Sequence, residues 1–269
     1  MAIRFKIIPL DRWLRCDFYC TTLPVRCDRT QRNANPPTRA RYDAVMPEKT
    51  STASLSATDR ARKIKIILFD VDGVLTDGGI WLFPAPAASQ STTSGIEAHA
   101  DQGGYGIHSA NMVEAKGFHA HDGTAISLAR LGGMKCGIIT KRISETVALR
   151  ARDLRIEYVY MGQAHKMQAV REILAKEQLT LEQIAYVGDD IIDLPVMRVC
   201  GLAIAVANAR AEVKAAAHFV TANGGGHGAG RDAVEFILQA KNLLSTVVEQ
   251  YIDERNPIPA SMDIGQGEK

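Results

Sequence analysis

"IILFDVDGVLTDGG" (residues 66–79) runs four apolar residues into Asp70, sets Asp72 two positions further on and Asp77 seven. Consecutive apolar residues that end in charge read as a strand covered on both faces, emerging at the edge of a sheet. In sheets of that kind, ligands bind beyond the carboxyl ends of the strands. The stretch therefore sets a direction: core before residue 70, chemistry after it.

The same reading extends along the chain. "KCGIIT" (135–140), "IEYVYM" (156–161), "IAYVGDD" (184–190) and "LAIAV" (202–206) are further short apolar runs that read as strands. Between them, "GTAISLARLGG" (123–133) reads as a helix closed by glycines, and "KMQAVREILAKEQL" (166–179) places Met167, Val170 and Leu174 on one face. "RDAVEFILQAKNLL" (231–244) is a similar stripe. These apolar stripes are core. Strands alternating with helices predict a doubly wound α/β fold with a parallel sheet.

The residues at the strand ends are then the ones to read: Asp70 and Asp72, Thr140, and Asp189, Asp190 and Asp193. Lys166 opens a helix in the same set of crossovers. Carboxylates converging on one edge repel one another unless a cation sits among them, and an all-oxygen donor set suits magnesium. Solvated loop acids are the other reading, but they leave unexplained why the aspartates directly follow apolar strands. A carboxylate, a hydroxyl, a lysine and magnesium together supply the parts of phosphoryl transfer: nucleophile, charge neutralisation and proton delivery. No Walker or kinase loop is present; "ANGGGHGAG" (222–230) lacks the GK[ST] ending and reads as a turn whose backbone could face a substrate.

Composition limits the alternatives. With 269 residues and 46% hydrophobic content the chain can bury a sizeable core, as one large domain or two small ones. No apolar run reaches the roughly 18 residues of a membrane span, and a net charge of +2 gives no general attraction to nucleic acid or an anionic membrane. The first 60 residues hold 11 Lys and Arg against 6 Asp and Glu, a local +5 that leaves the rest of the chain at −3. This leader, rich in Pro, Ser, Thr and Ala, reads as a disordered tail, a transit segment, or sequence upstream of a start at Met46. Cys16, Cys20 and Cys27 lie in it without the ligands that would complete a metal site. An odd total of five cysteines and no secretory segment point to a reducing, cytoplasmic setting. The expected organisation is a leader over 1–60, a catalytic domain over 61–247 and a tail over 248–269.

"DVDGVLTDG" (70–78), "IIT" (138–140), Lys166 and "GDDIIDLPVM" (188–197), in that order, resemble the four motifs of the haloacid dehalogenase-like phosphatases, over about residues 63–245. "KGFHAHDG" (116–123), "ITKR" (139–142) and "MGQAHK" (161–166) narrow the likeness to the small C0-type branch, the 3-deoxy-D-manno-octulosonate 8-phosphate phosphatases of lipopolysaccharide biosynthesis. The resemblance implies a Rossmann-like core with a β-hairpin insertion after the first strand, no true cap domain, and a homotetramer. It implies Asp70 as nucleophile, Asp72 as general acid and then base, and Thr140 and Lys166 on the phosphoryl group. Magnesium would be held by the Asp70 and Asp189 carboxylates and the Asp72 backbone carbonyl, with Asp190 and Asp193 in support. The sugar phosphate would also meet His119, His121, Asp122, Gly123, Arg142 and Arg150. Asp77 shapes the turn.

The chain departs from that pattern at several points. Lys141 replaces a glycine, "HAH" (119–121) replaces Asn-Val-Arg, and Ser127 stands where an arginine is expected. Arginine forks suit sugar carboxylates, so these changes bear on the substrate more than on the chemistry. The hairpin segment 79–115 is lengthened around 84–112; His99, Asp101 and His108 within it could contact a metal or substrate, or belong to a surface insertion. A nonulosonic acid 9-phosphate would suit the same motifs. A catalytically silent, oligomerising homologue would lack a reacting residue, and none is missing.

Overall fold

The computed structural model describes residues 55–85 and 112–253, with the backbone of 94–99 and 104–109 between them. The leader to residue 54, the tail from 254 and Asp101 lie outside the described residues, and His99 and His108 are described by backbone alone.

The chain enters through helix α1 (Ala57–Arg62), whose first turn is capped by Ser56 Oγ accepting from Asp59 N, and passes into strand β1 (Ile66–Phe69). An antiparallel ribbon follows: β2 (Trp81–Pro84), then β3 (Ser94–His99) paired with β4 (Gly104–Ser109), then β5 (Met112–Ala115), which returns to pair with β2. This is the expected hairpin insertion. The alternating part comprises α2 (Ala120–Leu131), β6 (Lys135–Ile139), α3 (Glu145–Asp153), β7 (Tyr158–Tyr160), α4 (Lys166–Glu177) and β8 (Ile184–Gly188). It continues with α5 (Leu194–Met197), β9 (Leu202–Ala205), α6 (Ala211–Ala216), β10 (Phe219–Val220), α7 (Ala229–Ala240) and α8 (Leu244–Ile252). The structure thus begins helix α1 before residue 60 and carries α8 beyond residue 247, across both expected boundaries.

Six strands form one sheet in the order β10-β9-β8-β1-β6-β7, every pair parallel. From β1 the crossovers step outward through β6 and β7; from β8 they step the opposite way through β9 and β10. The reversal falls between β1 and β8, the point at which a doubly wound sheet opens a crevice for ligand. Helices flank the sheet in two groups, α1, α2, α7 and α8 packing with one another and α4, α5 and α6 likewise.

Strand β1 shows why this arrangement holds. Ile66, Ile67, Leu68 and Phe69 are all within 1% of full burial, and each such side chain contributes about 1.5–3 kcal/mol of gross hydrophobic stabilisation. Register then fixes the site. Phe69 stands opposite Ile138 of β6 and Val187 of β8, so the next residues, Asp70, Ile139–Thr140 and Gly188–Asp189, leave the sheet at one level.

The glycine run 224–226 has a structural task. Gly226 N donates to Val74 O at 3.1 Å, and a Cβ on Gly225 would sit 1.8 Å from Gly73 O. Only a chain without side chains can lie this close against the loop that follows β1.

Candidate active site

The loop after β1 is wound around one carbonyl. The N–H groups of Val74, Leu75 and Thr76 all point at Val71 O, at 3.0–3.2 Å. Gly73 has φ +90°, and a Cβ there would lie 2.2 Å from Asp189 Oδ2, so both conformation and space require glycine. Asp77 Oδ1 accepts from Gly79 N at 2.8 Å, which closes the turn.

Asp70 is buried at 3% exposure; its Oδ1 accepts from Val71 N at 2.7 Å and its Oδ2 lies 2.8 Å from Lys166 Nζ. Lys166, the first residue of α4, is equally buried and also reaches Asp193 Oδ1 at 2.7 Å. Asp193 is a fully buried hub. Tyr186 donates its hydroxyl to Asp193 Oδ1 at 2.8 Å, and Asp193 Oδ2 accepts from the backbone N–H groups of Asp189 and Asp190 at 3.0 and 3.3 Å. Asp190 is exposed and caps the turn Ile191–Asp193, accepting from Ile191 N.

The electrostatics are those of crowded acids. Burial pushes Asp70 up to about 6, with Lys166 opposing and Asp193 adding to the rise. Burial, then the Asp70 and Asp193 charges, push Asp189 up to about 7. Burial works against the charge of Lys166, but Asp70 and Asp193 outweigh it and raise its pKa. Oxygens of Asp70, Asp189 and Asp193 lie within 4.8 Å of one another, and buried Asp189 Oδ1 has no hydrogen-bond partner. An orphaned carboxylate oxygen beside two further carboxylates, with oxygen donors only, fits a hard divalent cation such as magnesium. Because Asp193 already serves Lys166, Tyr186 and two amides, Asp70 and Asp189 are the carboxylates that would hold such an ion.

These shifts carry a sign. An aspartate raised from 3.8 when unfolded to about 6 or 7 when folded costs stability once ionised in the native state. Without metal, stability should fall as pH rises from about 4 to about 7. Magnesium, which binds the ionised acids, should raise the melting temperature far more at pH 8 than at pH 5. Thermal denaturation with and without magnesium at both values checks this; equal shifts at both would remove these carboxylates from the metal site.

Asp72 stands at the mouth. Its carboxylate pairs with the buried ammonium of Lys116, and its Oδ2 lies 3.8 Å from Arg142 Nε. Arg142 also reaches Glu114 Oε2 at 3.4 Å, and the Ser144 hydroxyl donates to the other oxygen of Glu114. Thr140 is buried at the floor of the loop, where its Oγ1 accepts from Arg142 N at 3.4 Å. One pocket is lined by Asp70, Asp72, Thr140, Lys141, Arg142 and Asp189.

The other expected substrate contacts lie elsewhere. His119, Asp122, Gly123 and Arg150 border a separate apolar crease between α2 and α3. Asp122 Oδ1 accepts from Arg231 N at 2.9 Å, fastening α2 to the start of α7, and burial raises its pKa. Arg150 pairs with Asp153 at 2.6 Å, lies over the Phe118 ring, and packs so close to Gly123 that a Cβ there would meet its Nη2 at 2.8 Å. His119 caps α2, with the His121 ring edge-on to its own.

Gly73, Glu114, Lys116 and Tyr186 were not singled out from sequence as residues of the site. Tyr186 had a signal, a hydroxyl inside an otherwise apolar strand, which when buried must find a partner. Lys116 opens the quoted "KGFHAHDG" segment but had no role assigned to it, and Glu114 had no signal, because β5 reaches the site only through the hairpin.

Buried acids and a lysine at the switch point of a doubly wound sheet, with a second aspartate two residues past the first standing at the mouth on Lys116, have the make-up of a phosphoryl-transfer site. The profile of the haloacid dehalogenase-like hydrolases matches residues 138–229. The 3-deoxy-D-manno-octulosonate 8-phosphate phosphatase KdsC of Yersinia pestis is 36% identical over 185 residues, 69% of this chain and 85% of that protein. The crystal structure of a probable YrbI-family phosphatase from Pseudomonas syringae, 36% identical, covers 73% of this chain and 97% of its own with a TM-score of 0.61. That of the 3-deoxy-D-manno-octulosonate 8-phosphate phosphatase from Moraxella catarrhalis, in complex with magnesium, phosphate and KDO, is 30% identical, with a TM-score of 0.60 and coverage of 72% and 97%. The chain belongs to the haloacid dehalogenase-like hydrolases, in the branch of the 3-deoxy-D-manno-octulosonate 8-phosphate phosphatases.

Proposed function

We propose that the chain is a magnesium-dependent phosphatase that hydrolyses 3-deoxy-D-manno-octulosonate 8-phosphate to the free sugar acid and phosphate, through an aspartyl-phosphate at Asp70. The observation that carries this reading is the Asp70 carboxylate, buried, held by Lys166 at 2.8 Å and set beside the unpartnered Asp189 oxygen. The Moraxella catarrhalis relative, crystallised with magnesium, phosphate and the sugar acid, supports the substrate.

In the first step an Asp70 oxygen attacks phosphorus while Asp72 gives its proton to the departing sugar oxygen. In the second, Asp72 takes a proton from the water that attacks the phosphorus of the aspartyl-phosphate, releasing phosphate and restoring Asp70. Lys166 orients Asp70 and offsets phosphoryl charge, and Thr140 offers its hydroxyl to a phosphoryl oxygen. Asp70, Asp189 and the Asp72 backbone carbonyl would hold magnesium, which would supply neutralisation of the phosphoryl oxygens. Lys116, against Asp72, sets the direction of the acid.

A panel of sugar phosphates assayed with magnesium tests the substrate; the octulosonate ester should lead in kcat/KM, and a neutral sugar phosphate leading would overturn the assignment. The same reading places the enzyme in the cytoplasm as a homotetramer. Among the described residues no helix is long and apolar enough to cross a membrane. Ile80, Trp81, Leu82, Phe83, Met112 and Val113 are all at least 40% exposed on the β2–β5 ribbon, more apolar surface than an isolated two-stranded ribbon keeps in water. Sedimentation should give four times the chain mass, and Trp81→Asp should lower it; a monomeric wild type would contradict this.

A further inference from the structure

The cations around the pocket are nearly all spoken for. Lys166 is bound by Asp70 and Asp193, Lys116 by Asp72, and Arg142 by Glu114 and Asp72. Arg142 is one of the residues that sequence resemblance gave to the sugar phosphate, yet its guanidinium already lies 3.4 Å from Glu114 Oε2 and 3.8 Å from Asp72 Oδ2. Lys141 is different. It lines the same pocket, its side chain is exposed, and among the described residues it makes no hydrogen bond or ion pair.

Its position constrains what it can reach. Lys141 follows Thr140, whose hydroxyl lies on the floor, and the turn that brings Arg142 N back onto Thr140 Oγ1 at 3.4 Å leaves residue 141 on the outside of the bend. A flexible four-carbon stem from that point carries an ammonium over the mouth, where the leaving group must stand while its phosphate is on Asp70. The carboxylates nearby, Asp72, Glu114, Asp189 and Asp190, make the pocket acidic, so an anionic leaving group would be repelled unless a cation remained uncommitted.

We infer that Lys141 is a specificity-determining residue that pairs with the carboxylate of a sugar-acid leaving group. The inference rests on the proposed function and deepens it. Arg142 keeps its place on Glu114 and Asp72 throughout, positioning the acid, while Lys141 reads the substrate. A compact, mobile ammonium does this without the fixed two-point geometry of an arginine fork.

The test is a ratio. The value of kcat/KM is measured with magnesium for 3-deoxy-D-manno-octulosonate 8-phosphate and for D-arabinose 5-phosphate, which has a terminal phosphate and no carboxylate. The enzymes are wild type, Lys141→Gly and Lys141→Arg. Wild type should prefer the acidic ester, Lys141→Gly should reduce that preference about tenfold through KM rather than kcat, and Lys141→Arg should restore most of it. A preference unchanged in Lys141→Gly, whether both substrates suffer alike or neither suffers, overturns the inference and leaves the substrate assignment standing. No preference in the wild type overturns both.

Discussion

Asp70→Asn is expected to lower turnover of p-nitrophenyl phosphate by at least about a hundredfold while leaving the protein folded. The amide keeps the volume of the carboxyl group and can still accept from Val71 N, but it cannot serve as the attacking oxygen. The stability sign sharpens the prediction. Burial makes the ionised Asp70 unfavourable, as its rise to about 6 shows, and Lys166 retains Asp193 at 2.7 Å when Asp70 is neutralised. The metal-free variant should therefore unfold at pH 8 no more easily than wild type, even as activity vanishes. Steady-state assays and melting curves on the same preparation check both halves; near-wild-type turnover would remove Asp70 from the chemistry.

Asp193→Ala should do the opposite, costing stability on the order of 3–5 kcal/mol as well as activity. It strips Lys166 of one partner, leaves the Tyr186 hydroxyl buried without an acceptor, and orphans the amides of Asp189 and Asp190. Asp190→Ala, three residues earlier but exposed, removes the cap that accepts from Ile191 N and from the backbone N–H of Asp193, and should cost about 1 kcal/mol. Urea unfolding of the two variants separates the buried hub from the exposed cap. Losses of similar size would mean that the network around Asp193 is not what holds this edge of the sheet.

The chemistry was more legible in sequence than the recognition. Asp70, Thr140 and Asp189 follow strands whose apolar runs announce burial on both faces, and parallel register does the rest, because neighbouring strands that end at one level bring their next residues together. The glycine run 222–230 was legible as a turn, but not its task, since which loop it packs against depends on tertiary approach. Helix α3 passed unnoticed: "ETVALRARD" (145–153) buries only Val147 and Ala151, too little for a periodic stripe. The residues assigned to the sugar fared differently from the acids. Asp122 lies within a quoted motif and Arg150 on the helix that follows another, yet one fastens α7 and the other packs on Phe118 in a separate crease. Lys116 and Glu114 reach Asp72 and Arg142 from the far side of the hairpin, and contacts across an insertion leave no periodic trace in a sequence.

The central claim is a covalent phosphate on Asp70, and it can be trapped. Asp72→Asn enzyme, given magnesium and p-nitrophenyl phosphate, should form the intermediate, because nitrophenolate leaves without a proton, and should hydrolyse it slowly, because no base activates the water. Acid quench, borohydride reduction and peptide mass spectrometry should then find homoserine in place of aspartate at position 70. An unmodified Asp70, or homoserine at position 189 or 193 instead, would contradict the account.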